Sequence, residues 1–181
     1  MLSIVAIAVR GFLLLFGAVV LGLSVTLAKH QVIGSAPTES SFGSFAGAFG
    51  IIVSAVGLVA LWVDKISPFI PLALDALASV FYLAGGIALT VALKGVSSCT
   101  NMNNEAARQR YDNKLLNGGC INTDQGPACA VEDDYALTGS RCQRVQADYV
   151  FEYLGFIFGV AIIGLGYVLH RKGGSTRASY V

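Results

Sequence analysis

Charge is what this chain has least of. Lysine, arginine, aspartate and glutamate make up 13% of its 181 residues, about half the roughly 25% share of an ordinary soluble domain. A water-solvated globule is thereby excluded. The net charge of +1 removes any electrostatic argument for nucleic acid as a partner. Histidine occurs only at His30 and His170, in separate segments. No G-x-S-x-G, P-loop or H-E-x-x-H motif is present, so no enzyme activity is expected. N-x-[ST] sequons are also absent, and no N-glycan is expected.

What is there is apolar. Hydrophobic residues make up 55% of the chain and mean hydropathy is +0.67. Four runs, at about 3–28, 42–63, 68–93 and 147–169, each reach the roughly 20 residues that cross a bilayer core of ~30 Å as a helix. None shows the strict alternation of a barrel strand. The expected fold is an all-α, left-handed four-helix transmembrane bundle. Pro68 and Pro71 suit the first turn of the third helix, where a missing N–H costs least. The first run is longer than a signal-peptide core, and no basic region precedes it, so it is read as a retained span.

All four cysteines, Cys99, Cys120, Cys129 and Cys142, fall in the one long polar block, 94–146. Cysteines gathered outside the apolar runs point to disulfides and an oxidising compartment. Three pairings exist, and the preferred one is nested, with Cys99–Cys142 outside Cys120–Cys129. The spacings are wider than the close Cys pairs of structural zinc sites, and no metal is expected. After the last run comes His170-Arg171-Lys172, then Arg177, with no acid. That is a positive-inside signal, placing both termini in the cytoplasm and the cysteine block outside. Arg171 and Lys172 are expected to meet anionic headgroups. Ser175, Thr176 and Ser179 beside them are candidate phosphorylation sites.

Two charges interrupt the apolar runs. Arg10 and Asp75 are expected at similar depth near the cytoplasmic side. They fit an interhelical ion pair, or a snorkelling arginine with a separately hydrogen-bonded acid. Asp148 and Glu152, one turn apart, read as a solvated helix start, where acids favour the dipole; a cation or proton site is the sharper alternative. Gly43, Gly47, Gly50 and Gly57 in the second run, and Gly155 and Gly159 in the fourth, form small-xxx-small stripes suited to helix packing or self-association. Phe12, Phe16, Phe81, Tyr82, Phe156 and Phe158 are expected to meet lipid or neighbouring proteins.

Several stretches resemble the fungal non-classical export protein family, four-helix membrane proteins of the MARVEL type. They are Arg10 in the first run, Phe45-Ala46-x-Ala48-Phe49-Gly50-Ile51, Leu74-Asp75-x-Leu77, Ser98-Cys99 and Arg141-Cys142-Gln143-Arg144-x-Gln146-Ala147. The resemblance covers almost the whole chain. It implies a MARVEL-like domain over 1–172 and a short cytoplasmic tail over 173–181. It also implies a non-enzymatic plasma-membrane scaffold that self-associates, responds to sphingolipid and sterol, and shapes lateral domains and furrow-like invaginations (eisosomes). Bound lipid rather than a cofactor, cytoplasmic membrane-coat partners and a link to unconventional secretion follow from the same likeness. Cys99 and Cys142 match the family's loop pair. Cys120 and Cys129 are additional to it. The alternative function is a small ion, proton or solute transporter using Asp75 and Arg10.

Overall fold

The computed structural model describes residues 2–62, 67, 69–124, 126–131 and 135–172. Four long helices dominate: α1 (Leu2–Lys29), α2 (Thr38–Ala60), α3 (Phe69–Ala92) and, after a polar head, α5 (Tyr135–Lys172). The head holds one short helix, α4 (Asn104–Tyr111), and a hairpin of β1 (Cys120–Thr123) and β2 (Gly126–Cys129). Each long helix is apolar and long enough to cross a membrane. The turn 64–66, Pro68 and the segment 173–181, with its candidate phosphorylation residues, lie outside the described residues.

Burial follows helical period on every span. On α2 the buried residues are Ser40, Gly43, Ala46, Gly47, Gly50, Val53, Ser54 and Gly57, a stripe of mostly small side chains. Its large apolar residues Phe45, Ile52 and Val59 point outward. That inversion of size belongs to a membrane bundle: lipid tails solvate leucine and phenylalanine as well as a core does, so close backbone approach decides which face turns inward. A Cβ at Gly47 would sit 2.6 Å from the Leu21 backbone nitrogen on α1. The helices form a ring in which α1 touches α2 and α5, and α3 touches the same two. So α1 and α3 face each other across one diagonal, and α2 and α5 across the other.

α5 runs 38 residues, roughly 57 Å at about 1.5 Å per residue, nearly twice the hydrocarbon thickness. The last part of the block assigned to a loop over 94–146 is therefore helix, and Cys142 sits on a helix face. The helix begins early because Thr138, Cys142 and Val145 are buried in helical phase while polar Gln143 and Gln146 face water.

The head is clamped to the bundle top. Leu115, Leu116 and Cys99 pack on Leu27, Leu89, Cys142 and Val145. Asn113 donates its side-chain amide to the Ala92 carbonyl at 2.7 Å, capping α3. Asn103 caps α4 by accepting from the Ala106 N–H at 2.9 Å. Both disulfides are present, Cys99–Cys142 and Cys120–Cys129, the second joining directly opposed residues of the hairpin. Val32 and Ile33 of the α1–α2 loop donate to the Gly118 carbonyl. Gly119, with φ +93°, lies so close to the Ile33 carbonyl that no side chain fits there.

Candidate functional site

A chain of polar side chains runs through the bundle interior. At one end Arg10 on α1 forks onto Asp75 on α3, NH1 to Oδ1 at 2.9 Å and NH2 to Oδ2 at 2.7 Å. The two side chains are 1% and 2% exposed. The pair crosses a diagonal of the ring, and the guanidinium meets a carboxylate rather than headgroups. Room for it comes from Gly57, where any Cβ would collide with the guanidinium. Ser79 donates back to the Asp75 carbonyl at 2.7 Å.

Tyr82 occupies the centre. Its hydroxyl points at Gly50 and Gly17, and its ring lies against Gly155. At 2% exposure it is not the lipid-facing aromatic expected from sequence, because three glycines on three helices form a slot for the ring. Phe16, 7% exposed, is likewise internal, packed edge-on against Phe158 at 5.2 Å. Below Tyr82 a cavity of about 10 Å³, lined by Ser54, Asp75 and Ser79 among others, is near the smallest volume that admits a water. Gly50→Ala should drive a methyl into the Tyr82 hydroxyl and lower stability by about 1–3 kcal/mol. Thermal unfolding in detergent would measure it, and an unchanged midpoint would show that the slot is slack.

At the head end, Asp148 and Glu152 on α5 are both 0% exposed. This corrects their reading as a solvated helix start: the helix begins at Tyr135, so both acids lie more than three turns inside it and face the bundle. The Ser24 hydroxyl on α1 donates to Asp148 Oδ2 at 2.5 Å. Glu152 lies over Gly85 of α3 and reaches toward Gly43 of α2. The signal was available in the sequence: Asp148 and Glu152 fall in phase with Val145, Gly155 and Gly159.

All six stripe glycines, Gly43, Gly47, Gly50, Gly57, Gly155 and Gly159, face neighbours inside this one chain. Gly11, Gly22 and Gly164, by contrast, meet nothing within 4 Å and open outward. Arg171 and Lys172 fall in the last turn of α5, with side chains outside the described residues. Beyond the spans, burial and then the charges of Arg141 and Arg144 hold the His30 imidazole below its ordinary range.

On the outer surface, a groove of 880 Å³ lies between the α2 start (Thr38, Glu39), the α3 end (Ala92) and the head (Asn113, Lys114, Asn117). Ligand pockets of about 300–1,000 Å³ are usual. Phe42 follows one turn below Thr38 and begins an aromatic seam on the α2–α3 face. Phe81 is its hub, 6.2 Å from Phe42, 5.3 Å from Phe45 and 5.2 Å from Phe49 by ring centroids.

Comparison with curated proteins and with solved structures returns no match. A family model described as MARVEL, membrane-associating domain, matches residues 3–165. That stretch takes in the first three spans, the head, most of the fourth span and the whole buried polar chain; this protein belongs to the MARVEL family of membrane-associating domains.

Proposed function

We propose that this chain is a non-enzymatic membrane organiser that seats a lipid on its α2–α3 face. The carrying observation is the stacking of two surfaces at matched depths. The groove beside Thr38, Glu39, Asn113 and Lys114 offers both charge signs and amide groups at the end of the spans, where headgroups lie. The Phe42–Phe45–Phe49–Phe81 seam continues beneath it at the depth of a sterol ring or the upper part of an acyl chain. Sphingolipid and sterol carry that combination of hydrogen-bonding head and rigid apolar body.

A disulfide-bearing head fits an oxidising face and the basic run after α5 fits a cytoplasmic one. Both support a plasma-membrane protein with cytoplasmic termini. Assembly into lateral domains or invaginations would use outward surfaces such as Gly11, Gly22 and Gly164, since the inward stripes are occupied. Cytoplasmic coat partners and a role in unconventional secretion belong to the same reading through the family likeness. A solute pathway through Arg10 and Asp75 has weaker support, because the two charges are locked together beside a cavity of only 10 Å³.

The test is lipid enrichment. Purified protein, reconstituted in nanodiscs of phosphatidylcholine with minority sphingolipid and ergosterol, should retain the minority lipids above their bulk share by mass spectrometry. Replacing Phe45, Phe49 and Phe81 together by alanine should weaken retention by about tenfold, the effect of removing aromatic contacts each worth ~0.5–1.5 kcal/mol. Bulk-like lipid composition around the wild-type protein would sink the proposal.

A further inference from the structure

Among the described residues six charged side chains are buried, Arg10, Asp75, Arg110, Arg141, Asp148 and Glu152, and Arg110 is held in the head by the Ser98 and Asn101 carbonyls. Arg10 and Asp75 neutralise each other. Asp148 and Glu152 are both fully buried, and among the described residues no hydrogen bond or ion pair joins either of them to a cation. From α1 comes the Ser24 hydroxyl, donating to Asp148. From α2 come Gly43 and, one turn earlier, Ser40, whose buried hydroxyl has no partner. From α3 comes Gly85, with the Tyr82 hydroxyl directed away toward Gly50. On α5, Arg144 lies one turn before Asp148 and half-exposed, and Arg141 donates to the Leu116 carbonyl in the head. His30 lies at the loop end of α1.

Glu152 is the second, independent sign. Both its carboxylate oxygens are buried without a partner. Its Oε1 lies 3.2 Å from the point a Cβ at residue 43 would occupy, and Ser24 Oγ borders the same point. Both oxygens lie within 2.6 Å of the corresponding point at Gly85. Two glycines on two helices thus vacate the space into which the carboxylate is aimed. Ser24 Oγ and Glu152 Oε1 border one point, Ser24 is hydrogen-bonded to Asp148, and Asp148 Oδ1 is buried without a partner, so every side-chain ligand on offer is an oxygen. A hard cation takes such an all-oxygen set, whereas thiolate or imidazole donors would indicate a softer metal.

We propose that Asp148, Glu152 and Ser24 form a binding site for a small dehydrated hard cation, of the sodium or calcium class. The ion ties α5 to α1 at the head end of the bundle, as the Arg10 guanidinium ties α1 to α3 at the other end. A divalent ion balances both carboxylates; a monovalent ion balances one while the other keeps a proton. The site is separate from the lipid-facing groove and seam, so it stands or falls independently of the lipid reading.

Wild-type protein in nanodiscs, with N-methylglucamine holding ionic strength constant, should bind about one ²²Na⁺ or ⁴⁵Ca²⁺ per chain. The effective ion should raise Tm by about 5–10 °C at a hundredfold excess over Kd. Glu152→Gln should keep the fold, judged by circular dichroism and an intact Cys99–Cys142 bridge, and lose the ion-dependent rise. The direct binding measurement needs no variant and decides the matter if Glu152→Gln fails to fold. Absence of bound ion in the wild type overturns the proposal, as does an equal Tm rise in Glu152→Gln. Stabilisation by acid alone, with no response to either ion, also overturns it and assigns the site to protons.

Discussion

Asp75→Ala should be among the most damaging single substitutions in this chain, lowering stability by about 3–5 kcal/mol. The loss is not the worth of the ion pair itself. It is the cost of leaving the Arg10 guanidinium, 1% exposed, charged and unpartnered between four apolar helices. Arg10→Ala should cost a similar amount by stranding Asp75. Replacing both, Arg10→Met with Asp75→Leu, should recover most of the loss, since a buried pair exchanged for apolar residues of similar volume is often neutral. The measurement is a double-mutant cycle on reversible unfolding in mixed micelles, read as coupling energy. Additive single-site losses would mean that the two side chains act independently. Gly57→Ala offers a third approach to the same site, because its methyl enters the guanidinium's place while both charges remain.

That pair also marks where sequence reasoning reached its limit. The spans were legible because a lipid-facing helix must be apolar nearly all round, and the cost of exposed backbone in hydrocarbon leaves few alternatives to a helix. Arg10 and Asp75 stood out because charge in an apolar run is rare. Whether they paired was not legible, since that depends on which helices lie across the ring's diagonal. Asp148 and Glu152 were misread for a related reason. Residues 135–147 are polar enough to pass for loop, so the acids seemed to start a helix instead of lying deep within one. A helix that projects beyond the membrane need not be apolar, and its inward stripe of Thr138, Cys142 and Val145 was the only sign of continuity. The hairpin of β1 and β2 carries almost no pattern, with four residues per strand and Pro127 in one of them. Its register is held instead by Cys120 opposite Cys129.

Removing the outer disulfide should cost more than removing the inner one, and it should be felt in a different place. Cys99 and Cys142 are 43 residues apart, against nine for Cys120 and Cys129. Loop-closure entropy then assigns about 4 kcal/mol to the first bridge and about 2.5 kcal/mol to the second. Packing widens the gap. Cys142 is 0% and Cys99 5% exposed, within the cluster that seals the head onto Leu27, Leu89 and Val145, whereas Cys120 is exposed on a projecting hairpin. The Cys99→Ala/Cys142→Ala protein should therefore unfold at a lower temperature. Its amide exchange should rise across α4, the Asn113 cap on Ala92 and the first turns of α5, and residues 138–148 should loosen around the buried acids. The Cys120→Ala/Cys129→Ala protein should lose protection only over 118–131 and retain the bundle's unfolding midpoint within a few degrees. Equal midpoint losses in the two variants, or exchange confined to the hairpin in both, would mean that the head is held by its contacts with the α1–α2 loop and that the clasp adds little. The prediction follows from geometry: α3 ends at Ala92, α5 begins at Tyr135, and Cys99–Cys142 is the one covalent tie between the segments around those two helix ends among the described residues.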